Sequence, residues 1–151
     1  MDKVQVYFVE LAVPQKARYV CDIVEKFYRD GQKVAIFTKE KKDALQLDQQ
    51  LWVWKPESFI PHRVVDEQAA SDEEPVLITS SPDNLPQAEA LIQFDPIPAE
   101  RMSGFKYVID FAETYRKDKL HASRERFKQI RDAGKYELEF MKLGSFLALE
   151  L

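Results

Sequence analysis

The sequence predicts an α/β fold: a mainly parallel sheet flanked by helices, Rossmann-like but without a nucleotide site. Short apolar and β-branched runs recur at residues 4–9, 33–38, 76–79, 90–94 and 106–111. Amphipathic stretches of helical period separate several of them, which is the alternation that builds a helix-covered parallel sheet. Glycine, however, is confined to Gly31, Gly104, Gly134 and Gly144. No GxGxxG follows a strand, and no GxxxxGKS/T loop exists to cradle a phosphate.

Each element has a local reason. The run at 4–9 is a strand, and Pro14 suits the first turn of a helix. Ala17, Val20, Ile23, Val24, Phe27 and Tyr28 then recur at helical spacing, with Gly31 as a C-terminal stop. KVAIFT is the second strand. Residues 41–52 form a second helix with Ala44, Leu45, Leu47, Leu51 and Trp52 largely on one side, and Pro56 cannot continue it. Val64-Val65 is too short to assign. Residues 68–74 are polar and acidic, a loop. Pro75 introduces a strand at 76–79, and SSPDNLP is turn chemistry with the start of a short helix. The run at 90–94 is closed by DPIP. KYVIDF is a strand, and 115–133 is a long helix ended by Gly134. The tail from 136 to 151 is mixed, with 137–141 alternating enough for an edge strand or a docking arm.

At 151 residues the expected organisation is a single domain over 1–151 with a real core. Hydrophobic content of 45% and charged content of 32% are ordinary for a soluble protein. No apolar run approaches the roughly 20 residues of a membrane helix, and MDKVQVYFVELAVP has no signal-peptide pattern. The expected compartment is the cytoplasm. One cysteine, Cys21, excludes an internal disulfide, and with only two histidines no zinc site is expected. No metal or other cofactor is expected.

The net charge of −4 hides an asymmetry. Residues 64–100 carry nine acids and no Lys or Arg, whereas 115–131 carry seven bases against Asp118 and Glu125. A basic helix on an acidic body suits a narrow anionic target better than a long phosphate backbone. The plain alternative is a solvated helix face. Arg124, Lys128 and Arg131 follow i, i+4, i+7, beside an apolar stripe of Leu120, Phe127 and Ile130. That juxtaposition fits a short acidic peptide with one bulky apolar side chain, although Phe127 also suits a core position. Exposed ion pairs contribute only roughly 0.2–1 kcal/mol each, so micromolar binding, about −8 kcal/mol, needs an apolar pocket beside the bases.

Catalytic chemistry is thin. Cys21 lies among Val20, Ile23 and Val24 and reads as a buried structural thiol. His62 follows a proline beside aromatics and reads as a packed side chain; His121 lies on the basic helix. No nucleophile elbow is present. The residues favour a binding module with no active site. The alternatives are a small α/β enzyme acting on a nucleotide or phosphorylated substrate, and direct DNA binding by the basic helix.

The stretch LDQQLWVWKPESFIPH holds both tryptophans, Trp52 and Trp54, together with Phe59 and His62. Its aromatics are either the lid of a core or an anchor for a partner. With KYVIDF and SRERFKQIRDAG, this stretch resembles the chi subunit family of bacterial DNA polymerase III, in which LDxxLW precedes ESFxPH, a VVDF-type strand follows, and an RERY/F-K helix closes the pattern. The resemblance implies a non-catalytic accessory protein of the clamp-loader assembly in DNA replication. It implies two attachments, one to a psi subunit and one to the acidic C-terminal tail of single-stranded-DNA-binding protein, with DNA contacted mainly indirectly and no membrane involved. The tail-binding role falls on Arg124, Phe127 and Lys128, with Arg131 a turn further on the same face. Phe127 stands where a tyrosine is common. Leu120 stands where some members carry a base, with Lys119 as its substitute. Trp52 and Phe59 fall on the surface for psi, or for a DNA-repair helicase competing with it. The segment 63–93 and the tail after Gly134 match poorly, and no role is carried over to them.

Overall fold

A computed structural model describes residues 3–55, 57, 59–65 and 73–151. Pro56, and most of the expected loop at 68–74, lie outside the described residues. Seven strands form one sheet in the order β3-β4-β2-β5-β6-β1-β7, and every pairing is parallel. They are β1 (Gln5–Leu11), β2 (Val34–Phe37), β3 (His62–Val64), β4 (Val76–Thr79), β5 (Ala90–Gln93), β6 (Tyr107–Glu113) and β7 (Glu137–Lys142). The helices are α1 (Lys16–Arg29), α2 (Lys41–Trp52), α3 (Lys117–Ala133) and α4 (Leu143–Leu147), with a 3-10 turn at Ala99–Gly104.

Strands β2, β4, β5 and β6 are buried at every position, as parallel strands covered on both faces must be. Alternate residues divide the core in two. Val9, Ile36, Ile78, Ile92 and Ile109 pack against α1, α2 and α4 on one face. Phe8, Ala35, Leu91 and Val108 pack against α3 and the 3-10 turn on the other. Helix α1 ends before Gly31 and α3 before Gly134, at φ 73° and 67°. Glycine adopts this left-handed conformation without steric cost.

Several elements differ from the sequence reading. His62-Arg63-Val64 is a strand, paired with β4. Three residues give no period to read, but one parallel neighbour suffices to order them. Helix α3 starts at Lys117, since Arg116 is still extended. No helix begins in SSPDNLP; the short turn follows DPIP instead. On α2, Ala44, Leu47 and Leu51 are buried, but Leu45 and Trp52 are exposed. Positions 45 and 52 share a second stripe, about 100° around the helix from 44 and 51. The tail is both strand and helix: β7 is an edge strand beside β1, and α4 buries Phe146 completely.

Candidate partner-binding surfaces

The aromatic stretch divides between core and surface. Trp54 is half-buried and packs on the core. Lys55 lies over its ring at 5.5 Å and pairs with Glu25 of α1 at 2.9 Å. Trp52 and Phe59 remain 52% and 67% exposed, with ring centroids 5.6 Å apart. Exposed Leu45 and Val53 add to the apolar surface of this helix end. A tilted aromatic pair open to solvent forgoes stabilisation that burial against a partner would recover.

His62 supports this surface from beneath. Its ring is 4.7 Å from that of Trp52. Nδ1 lies 2.7 Å from the Ile60 carbonyl and Nε2 3.0 Å from the Asp48 carbonyl. Carbonyl oxygens only accept, so a neutral ring donates to one of the two and contacts the other, filling the space between α2 and the chain after Phe59. Cys21 is fully buried, and burial pushes its thiol up to about 12, far from a reactive thiolate.

The second surface lies across the sheet, on α3. Its bases, alike in sequence, separate by partner. Arg126 turns inward and clasps buried Asp110 of β6 through Nε at 2.8 Å and Nη2 at 3.0 Å. Lys119 lies 3.7 Å from Glu113, Arg116 pairs with Asp118, and Arg131 with Asp132. Arg124 and Lys128 are exposed, with no carboxylate in ion-pair distance among the described residues. Between them Phe127 is half-buried, its ring edge-on to Phe8 of β1 at 5.3 Å. Arg124, Phe127 and Lys128 thus lie together, with Arg131 a turn away but engaged. Lys119 is drawn toward β6 and is a poor substitute for a base at Leu120.

A third cluster was missed in the sequence because its members lie nearly one hundred positions apart. Glu113, buried at the end of β6, accepts from Lys16 at 3.0 Å and from the Tyr115 hydroxyl, with Lys119 nearby. Lys16 also lies over the rings of Phe94 and Phe111. Burial pushes the Glu113 carboxyl up, but the Lys16 charge, the two hydrogen bonds and Lys119 together hold it below its ordinary value. A depressed carboxyl stabilises the fold above its unfolded pKa, and that contribution is lost as pH falls through the folded one. Glu113→Gln is expected to lower stability at neutral pH by about 2 kcal/mol. It should also flatten the acid limb of a stability–pH curve from urea unfolding. An acid limb as steep as in the parent would show that Glu113 does not carry it.

These features describe an α/β protein with a doubly covered parallel sheet and two chemically unlike exposed surfaces, one aromatic and one cationic. The chain belongs to the DNA polymerase III chi subunit family: residues 1–138 match the family model described as DNA polymerase III chi subunit, HolC. It is similar to the DNA polymerase III subunit chi of Escherichia coli K12, with 30% identity over 115 residues, 76% of this chain and 78% of that protein. It is also similar to the subunit chi of Haemophilus influenzae, with 31% identity over the same shares. Among solved structures, a C-terminal domain of S. cerevisiae Dbp5 bound to Gle1 and IP6 superposes with a TM-score of 0.56. That likeness covers 95% of this chain and 91% of the other at 16% identity, and shows the fold alone. No helix among the described residues is long and apolar enough to cross a membrane.

Proposed function

We propose that this chain is a non-catalytic accessory subunit of the clamp-loader assembly, bridging a psi-type partner and the acidic C-terminal tail of single-stranded-DNA-binding protein. The observation that carries this reading is the separation of two unlike surfaces in a chain of the chi family. Trp52 and Phe59 stand at the end of α2, which covers the β3–β4 side of one sheet face. Arg124, Phe127 and Lys128 stand on α3, which covers β6 on the other. Two partners can therefore attach without sharing residues.

The chemistry of each surface suits its ligand. Arg124 and Lys128 offer charge that is not already paired, and arginine clasps a carboxylate through two parallel hydrogen bonds. By the family resemblance the tail ends in a proline and a phenylalanine, and Phe127 supplies apolar area for that aromatic side chain. The Trp52–Phe59 pair suits an apolar anchor on psi or on a competing helicase.

Calorimetry with an acidic peptide ending in Pro-Phe tests the assignment. Arg124→Glu and Lys128→Glu, both at exposed positions, are expected to weaken binding roughly ten-fold or more, with salt weakening the parent interaction. Trp52→Ala is expected to leave the peptide affinity unchanged and to reduce capture of psi. Peptide affinity indifferent to both α3 reversals would refute the tail site.

A further inference from the structure

We propose that an extended acidic peptide lies along the outer edge of β7 as an added strand, so that the cationic surface of α3 is only half of its site. This rests on the tail-binding reading above and extends it to a part of the chain that the family match barely reaches, since that match ends at residue 138.

The orientation of α3 is the first observation. Phe127 packs edge-on against Phe8 of β1, whereas Arg126 reaches Asp110 of β6. Successive residues differ by about 100° around a helix, so the flank of α3 bearing Arg124, Phe127 and Lys128 turns toward β1 and β7. The second observation is the sheet surface beside that flank. Phe140 is the register partner of Phe8 and shares its face, yet it is 50% exposed. Phe127 packs on buried Phe8, and Phe140, beside Phe8 in register, carries this apolar face out to the sheet edge as a shelf. Lys142, on the same face, stands exposed at the far end. Two acids share this face of the sheet: Asp110, the partner of Phe8, held by Arg126, and Glu10, with Lys142 beside it in register. Glu137 and Glu139 project to the opposite face.

The third observation is the open backbone ladder. Among the described residues, strand β7 ends the sheet and pairs only with β1. The Glu137 amide donates to the Val4 carbonyl at 3.0 Å, so main-chain groups of odd-numbered β7 residues face β1. Those of Leu138 and Phe140 point outward, free to pair with an incoming strand. Their side chains lie on the α3 side. A peptide added here gains main-chain hydrogen bonds at the edge while its alternate side chains meet Phe140 and the cations above it. The charge around the shelf selects an acidic peptide.

The test uses the whole chain and the acidic Pro-Phe peptide, by calorimetry and amide hydrogen exchange. Phe140→Ala and Lys142→Glu, both at exposed positions, should each weaken binding about five-fold or more. Peptide addition should slow exchange at the Leu138 and Phe140 amides and leave the opposite sheet edge at β3 unchanged. If Arg124→Glu removes binding while both β7 variants bind like the parent and these amides exchange as before, the added strand is wrong and the α3 site stands. If the parent chain binds no peptide, both readings fall.

Discussion

Asp110→Ala is expected to lower folding stability by about 3 kcal/mol, the loss reading out as a lower urea midpoint. Asp110 is only 2% exposed and sits on a strand whose seven residues are all buried. Its carboxylate is satisfied on both oxygens by Arg126, and Oδ1 also accepts the Phe111 amide at 2.7 Å. Truncation leaves the guanidinium, 23% exposed, without its carboxylate and with the Phe111 carbonyl at 3.4 Å as its remaining acceptor. Arg126→Ala strands the carboxylate instead and should cost a similar amount. The double variant should lose much less than the sum, because removing both charges removes the unpaired partner. Fully additive losses would show that the pair does not act as a unit. The same pair fixes the rotation of α3 on the sheet, so it also decides that Arg124 and Lys128 look outward.

The second large effect is expected at Phe146. Its ring is wholly buried, edge-on to Tyr7 at 5.3 Å and 6.0 Å from Phe27. Removing a buried phenylalanine side chain typically costs 3–5 kcal/mol, and about 3 kcal/mol is expected here because a five-residue helix can partly collapse into the gap. Other contacts of the tail are slight by comparison. Lys26 donates to the Leu149 carbonyl, and Leu147, Leu149 and Leu151 pack at the periphery. Phe146→Ala should therefore loosen residues 143–151 first, and limited proteolysis should cut there before global unfolding. A variant as resistant as the parent would show that the tail is held by its peripheral leucines.

Much of the fold was legible because local pattern and tertiary burial agree. KVAIFT and KYVIDF are apolar apart from their leading lysines, Thr38 and Asp110, as suits strands covered on both faces, and Gly31 and Gly134 stop helices where the period runs out. Legibility failed where the deciding neighbour is distant in sequence. Leu45 and Trp52 are as apolar as Leu47 and Leu51, and only the placement of α2 over β3 and β4 tells the two stripes apart. Arg124 and Arg126 are equivalent on paper; Asp110, fourteen and sixteen positions away, makes one structural and leaves the other free. Phe146 carries no periodic signal because its helix is a single turn. The aromatic stretch was ambiguous between core lid and anchor, and it divides residue by residue: Trp54 goes to the core and Trp52 to the surface.

The position of β1 has a consequence for synthesis. Of these seven strands, the first made, β1, lies between β6 and β7, the last two made. Its seven residues, most of them buried in the finished sheet, have no ladder partner until Tyr107 onward emerges. At about 5–20 residues per second, that delay is roughly 5–20 s. During it the exposed edges of Val6, Phe8 and Val9 are open to pairing with other chains. Assembly of the β6-β1-β7 side of the sheet is thus deferred until β6 and β7 emerge, well after β2, β4 and β5 can pair, and a chain cut short before β6 would keep β1 uncovered for as long as it lasts.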